Sequence, residues 1–468
     1  MNVRFMIAAG LAIVSVWGEP QALSIRRLET TSARSRRFVG IGSSVAAAER
    51  PSAEQPPVEQ PPVEQPAVEQ PAVEQPAVEQ PAVEQPPKPL TPSQALSQAP
   101  SPVTAARLPV VAPAEAGFDA QALAAMEPLI VAAIAERKMP GAVVCLGRRG
   151  RIGWLKAYGD RQLVPERQPM TVDTVFDLAS LTKPIATATA VMKLVETGRV
   201  RTDEPIAKHL PEFAPHGKDV LTLEDLLVHH SGLIADNPLS DYGDGREQAW
   251  SRICGLKLVS PPRTKFIYSD VNFIVLGELV SRVSGEPLER FVRDRLYRPL
   301  GMSETGFLPG PELRDRAAPT QQRDGRWMRG EVHDPRAWKL GGVAGHAGLF
   351  STAADLARYA QAMLNGGQLD GNRVLAAETV ERMARGYTVS SGLRGLGWDK
   401  RTGFSINRGD RLSDAAFGHG GFTGTVIWID PKLDLFVIFL SNRVHPDGKG
   451  LVNPLAGKIA TIAADAVR

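Results

Sequence analysis

Ser180-Leu181-Thr182-Lys183 is the single Ser-x-x-Lys tetrad of the chain. A serine hydroxyl becomes a nucleophile when a neighbouring base takes its proton. An amine three residues on can reach it if the segment is helical, since such residues share a face. Pro184 and the apolar run Ile185 to Val195 predict an amphipathic helix beginning here. The helix N-terminus would add positive potential and backbone N–H groups suited to an oxyanion. Burial would lower the Lys183 pKa and leave the amine able to accept a proton. Tyr268-Ser269-Asp270 stands before a second predicted helix, with Phe273, Leu276, Val280 and Val283 on one face and Gly285 at its end. Tyr268 is a candidate to take the nucleophile's proton or relay it. Gly418-His419-Gly420-Gly421-Phe422-Thr423-Gly424 leads into an apolar strand at Thr425. Its glycines let backbone approach a substrate, and an N–H in the run is a candidate oxyanion donor. Each has a plain structural alternative: a surface lysine, a core tyrosine with Asp270 as N-cap, a tight loop with an incidental histidine.

The elements that must position these groups fall in a simple order. Asp119 is placed to cap a helix running to Lys138, with a kink at Pro128. Ala142–Leu146 and Ile152–Tyr158 read as strands joined by the turn 148–151. At the far end, Thr425–Ile429 and Leu435–Leu440 flank the turn 430–434, and a final helix follows from about Leu451. The end strands are continuously apolar, as expected of strands covered on both faces. The expected fold class is α/β (α+β): one antiparallel sheet built from both ends of the domain, flanked by helices, with a separate helical lobe.

In this order the three motifs resemble the serine-lysine hydrolases of the class C β-lactamase, penicillin-binding protein and esterase superfamily. That pattern runs S-x-x-K, Y-x-N, then K-T-G or H-x-G. Leu226-Leu-Val-His-His-Ser-Gly-Leu233 and Gly345-His-Ala-Gly-Leu-Phe-Ser-Thr352, followed by Asp355-Leu356, resemble the family's context segments. The resemblance covers about Ala114 to Arg468. It implies a β-lactamase/transpeptidase-like fold with a five-stranded antiparallel sheet. It also implies Ser180 as nucleophile, with Lys183 and Tyr268 sharing the base role. The N–H groups of Ser180 and Phe422 would hold the oxyanion, and Asp270, His419, Gly420 and Gly421 would meet substrate. Neither metal nor organic cofactor is implied. Two positions depart from the pattern. His419 replaces a lysine that would fix a substrate carboxylate, and Asp270 replaces an asparagine that would donate to a substrate amide. Both favour ester or peptide-like amide substrates, with aryl esters expected to turn over faster than a cephalosporin. β-Lactamase or D-alanyl-D-alanine carboxypeptidase activity is the alternative, and a non-catalytic scaffold binding cell-wall peptides is the competing class.

Other features bound the context. Charge is nearly balanced, with 54 Lys+Arg against 51 Asp+Glu in 468 residues. No dense basic run interleaved with aromatics appears, so a nucleic-acid partner is disfavoured. The expected partner is a small-molecule ester or peptide substrate, peptidoglycan included. Residues 1–22 read as a signal-like segment, Arg4 preceding the apolar stretch Phe5 to Trp17, which implies export to the periplasm or medium. Membrane contact would come only through that segment left uncleaved. Residues 23–107 read as a disordered Pro-rich linker with Glu-Gln-Pro repeats, which removes backbone donors and forbids helix. Residues 108–468 form the hydrolase domain. Cys145 and Cys254 read as two buried thiols, His229 and His230 as helix-end caps, and His333-Asp334 with His346 as a weak candidate metal group.

Overall fold

The computed structural model describes residues 107–468. The signal-like segment 1–22 and, but for Arg107, the linker 23–107 lie outside the described residues.

Two strands from the start of the domain, β1 (Gly141–Arg148) and β2 (Arg151–Gln162), form a hairpin. Arg149 and Gly150 close it with φ of 53° and 73°, the mirror-image turn that matches the twist of paired strands. A two-residue strand, β3 (Gln168–Pro169), follows at one edge. The rest of the sheet comes from the C-terminal part: β4 (Tyr387–Val389), β5 (Gly392–Arg394), β6 (Asp399–Arg401), β7 (Phe417–Gly420), β8 (Thr425–Asp430) and β9 (Leu435–Ser441). The order is β4-β5-β6-β7-β8-β9-β1-β2-β3, antiparallel throughout. The sheet thus has nine strands rather than the five implied by resemblance. Its extra members are the short strands at the two edges, which carry too little apolar pattern to be seen in sequence.

Both ends of the domain meet in β1 and β9, where Val144 pairs with Phe439 and Cys145 with Ile438. Alternation divides these continuously apolar strands between two cores. Val144, Leu146, Val426, Trp428, Val437 and Phe439 face one core. It is shared with helix α1 (Met126–Ala135) and, at the C-terminus, with Leu455 and Ile459. Val143, Cys145, Ile427, Ile429, Phe436 and Ile438 face the other, where the helical region packs.

Several predicted helices are differently built. Asp119 does cap a helix, accepting from the Gln121 and Ala122 N–H groups, but that helix ends at Ala124 and α1 restarts at Met126. Pro128 falls in the first turn of α1, where its missing N–H has no intrahelical partner to lose, so the break lies before it. The expected helix 185–195 is three pieces: a 3-10 turn Ala179–Leu181, a π-helical stretch Lys183–Ala188 and α2 (Thr189–Glu196). Residues 183–192 are all buried, so this segment has no polar face through its first turns. Helix α3 (Asp270–Ser284) ends as predicted, with Gly285 in the left-handed region, but its N-cap is Ser269, and Asp270, the N-cap of the structural alternative, is its first residue. The last helix, α4 (Asn453–Asp465), begins two residues later than expected, with Pro454 in its first turn. Among the described residues no helix is long and apolar enough to cross a membrane.

Candidate active site

The nucleophile segment is held by backbone and side-chain bonds from three directions. Ala179, directly before Ser180, has φ +45°, a conformation that costs a Cβ-bearing residue energy and needs outside support. Asp177 supplies it: Oδ1 accepts the Ala179 N–H at 2.9 Å and Oδ2 accepts the His333 N–H at 2.7 Å. Burial pushes the Asp177 carboxyl up to about 6. The Leu178 N–H donates to Leu349 O, and the Leu349 N–H donates to Thr182 Oγ1. The third motif closes the far side, Thr423 Oγ1 donating to Asp177 O at 2.7 Å and Thr425 Oγ1 to Leu178 O at 3.0 Å. Ser180 is left half-buried, its Oγ accepting from Lys183 Nζ at 3.0 Å.

Lys183 is fully buried, and its charge is not removed. Nζ lies 2.7 Å from Asp270 Oδ1, 4.9 Å from the centroid of the Tyr268 ring, and donates to His346 O at 3.3 Å. Burial by itself would lower this pKa, but the Asp270 carboxylate and Tyr268 together hold it above the usual lysine range. The expected downward shift is therefore reversed, because sequence spacing does not reveal the carboxylate that folding brings alongside. Asp270 itself, expected to face substrate, turns its carboxylate to Lys183 and is not among the residues lining the cleft.

The His333-Asp334-His346 group is also rearranged. His333 Nε2 meets Gln321 Oε1 at 2.7 Å, whereas His346 Nε2 pairs with Asp334 at 2.9 Å. Ligand-type atoms of Asp334, His346 and Asp270 lie within 4.8 Å of one another, and the Lys183 ammonium stands against this group as its positive charge.

His229 and His230 cap the helix Leu223–Leu227 as expected, their N–H groups donating to Leu226 O and Asp225 O, and His229 is also a clamp on the second motif. Held at φ +59°, it accepts the Ser269 N–H on Nδ1 at 3.0 Å and the Ile267 N–H on its carbonyl at 3.0 Å. Its ring lies 4.5 Å from that of Tyr268. Ser269 Oγ donates to Ile234 O and the Asp270 N–H to Ala235 O. The segment around Leu226 to Leu233 thus fixes Tyr268 in place.

In the third motif, β7 carries His419 to the cleft, 5.9 Å from the Tyr268 ring. The His419 Nδ1–H donates to Gly420 O at 2.8 Å, since a carbonyl only accepts. Burial, with Arg394 and Lys183 nearby, keeps the imidazole well below its usual pKa, so it is neutral and Nε2 is an acceptor. Gly421 is required by close approach: a Cβ there would stand 2.2 Å from Thr425 Oγ1 and 2.4 Å from Leu178 O. Phe422 is exposed, with the Arg443 guanidinium 4.5 Å above its ring.

These groups border a cleft of about 270 Å³, which brings together Ser180, Tyr268, His419, Gly420, Gly421 and Phe422. Arg394, Asp399, Phe404 and Asn407 also line it, and none belongs to a motif. Asn407 Oδ1 accepts the Trp428 indole N–H at 3.1 Å, which holds the asparagine beside β7. Cys145 and Cys254 are free and buried.

Fold and site together define a serine hydrolase of the Beta-lactamase family, to which the chain belongs: the family pattern matches residues 126–461. A relative from Escherichia coli O157:H7, described as a "Putative D-alanyl-D-alanine carboxypeptidase", is 34% identical over 388 residues, covering 73% of this chain and 88% of the relative. A penicillin-binding protein homologue from Caulobacter crescentus superposes with a TM-score of 0.60 at 22% identity, over 75% of this chain and 99% of that one. EstCE1, a hydrolase with promiscuous acyltransferase activity, does so with a TM-score of 0.58 at 24% identity, over 74% and 98%. These two likenesses show the shared fold.

Proposed function

We propose that this chain is an exported hydrolase that cleaves an ester or peptide-like amide through an acyl-enzyme on Ser180. The observation that carries the reading is the 3.0 Å contact between Ser180 Oγ and Lys183 Nζ, at a cleft also bordered by Tyr268. Ser180 Oγ attacks the carbonyl carbon as its proton passes to the Lys183–Tyr268 pair, which shares the base role and accepts once one of the two has lost its own proton. Lys183 then acts as a fixed positive charge beside both oxygens. The N–H groups of Ser180 and Phe422 receive the developing oxyanion. Tyr268 returns the proton to the leaving group, and water releases the acyl group by the reverse route. The domain occupies 108–468, and export rests on the signal-like segment 1–22.

D-Alanyl-D-alanine carboxypeptidase activity is the favoured substrate reading, supported by the description of the relatives. A fluorophosphonate probe tests the enzyme class: labelling of the full chain that Ser180→Ala abolishes is expected. A panel of aryl esters, D-alanyl peptides and a chromogenic cephalosporin then ranks substrates. Absence of both labelling and turnover would favour the scaffold reading.

A further inference from the structure

The two oxyanion donors of the reading above belong to segments far apart in the chain, Ser180 on the nucleophile turn and Phe422 beyond β7. They act together only while their spacing holds, and a misplacement of about 1 Å costs ~10²-fold in rate. Phe422 stands in a tight turn in which the Gly424 N–H donates to Gly421 O at 3.0 Å. Carbonyl and N–H point opposite ways across a trans peptide, so this bond aims the Phe422 N–H out of the turn. It does not fix where the turn sits relative to Ser180. Outside contacts must do that, and Thr423 Oγ1 on Asp177 O is one of them.

His333 is a second tie between the same two segments. Its N–H donates to Asp177 Oδ2 at 2.7 Å, on the carboxylate whose Oδ1 accepts the Ala179 N–H next to Ser180. Its ring stacks on Phe422, with 5.6 Å between centroids and 24° between planes. That spacing and tilt are those of a favourable offset aromatic pair. The imidazole is itself anchored, Nε2 meeting Gln321 Oε1 at 2.7 Å, so it is a fixed surface for the Phe422 ring. Phe422 is 57% exposed and needs such a surface to hold one orientation. His333 is not among the residues lining the cleft, so its effect must pass through Phe422. The next residue braces the other half of the site: Asp334 Oδ1 accepts from His346 Nε2 at 2.9 Å, and His346 O accepts from Lys183 Nζ.

We propose that His333 is a positioning residue of the oxyanion hole, its ring holding the Phe422 N–H at the distance from Ser180 that a tetrahedral intermediate requires. The inference rests on the hydrolase reading above and adds to it a residue outside all three motifs.

The test uses the full chain, the best substrate of the panel and phenylboronic acid, whose tetrahedral serine adduct places an oxygen where the oxyanion would stand. His333→Ala should lower kcat ~10- to 100-fold with KM within ~3-fold, because the contact matters only in the transition state. Affinity for the boronic acid should fall by a similar factor. His333→Phe keeps a ring against Phe422 and should recover both to within ~3-fold of the unaltered chain. Phe422→Ala keeps the N–H and removes its ring, so it should match His333→Ala, and the double variant should be little worse than either. Unchanged kcat and boronate affinity in His333→Ala would overturn the proposal. So would a loss confined to KM, a loss that His333→Phe does not recover, or losses that add in the double variant. If His333→Ala does not fold, Phe422→Ala decides, and unchanged boronate affinity there overturns the proposal. Failure of the hydrolase reading is seen separately, as an unaltered chain that neither takes the fluorophosphonate label nor turns over, and it removes this inference as well.

Discussion

Ser180, Lys183 and Asp270 form a line of contacts, 3.0 Å and then 2.7 Å, in which each member sets the state of the next. Because Ser180 and Lys183 act as one unit, Ser180→Ala and Lys183→Ala should each lower kcat/KM by ~10³-fold or more. The double variant should be little worse than either, measured on the best ester or peptide of the panel. Normal turnover in Lys183→Ala would remove the mechanism. Asp270 has a different signature. Its carboxylate opposes the effect of burial on Lys183, so Asp270→Asn removes the larger of the raising influences and the lysine pKa falls. Lys183 then becomes a competent base at lower pH. The rising limb of kcat/KM against pH should shift to lower pH in Asp270→Asn, and an unshifted profile would mean that Lys183 takes no proton in either protein.

At the scale of elements, the nucleophile turn is held by what packs against it rather than by its own helix. Asp177 ties Ala179 and His333 together, at the cost of a buried carboxyl pushed up to about 6. Unfolded, such a group titrates near ~3.9. Between about pH 4 and 6 the folded chain therefore binds more protons than the unfolded one, and stability falls as pH rises across that window. Asp177→Asn should flatten this fall in Tm measured at steps from pH 4 to 6. Asp355, also pushed up to about 6 by burial, would keep part of it. The same variant loses one backbone acceptor at the turn and should reduce turnover. Gly421 is the matching constraint on the third motif. Gly421→Ala places a methyl carbon 2.4 Å from Leu178 O, so β7 and the nucleophile turn must move apart. A loss of roughly 1–3 kcal/mol is expected from overpacking, read as a lower Tm, together with slower acylation.

Over the whole molecule, the two cores draw on both ends of the hydrolase domain, and α1 and α4 cover one face of the sheet. A chain begun at Arg107 should accordingly melt at the same temperature as the full chain, and a lower Tm would place a stabilising contact in residues 1–106. Much of this was legible in the residues. The continuous apolar runs of β1, β8 and β9 announce strands covered on both faces. Ser180/Lys183, Tyr268 and His419/Gly421 in that order name the site. The short edge strands were not legible, because two or three residues carry no period. The broken helix after Ser180 was not, because its residues are buried on every side and show no amphipathic stripe. Order along the chain thus determined which groups would meet, since the motifs carry their own turn and helix signals. Only tertiary structure decided their charge: Asp270 keeps Lys183 protonated, burial keeps His419 neutral, and strand pairing carries Arg394 to the cleft without its hydrogen bonds met. Ionisation depends on what stands within a few ångströms, and that neighbourhood is assembled from residues far apart in sequence.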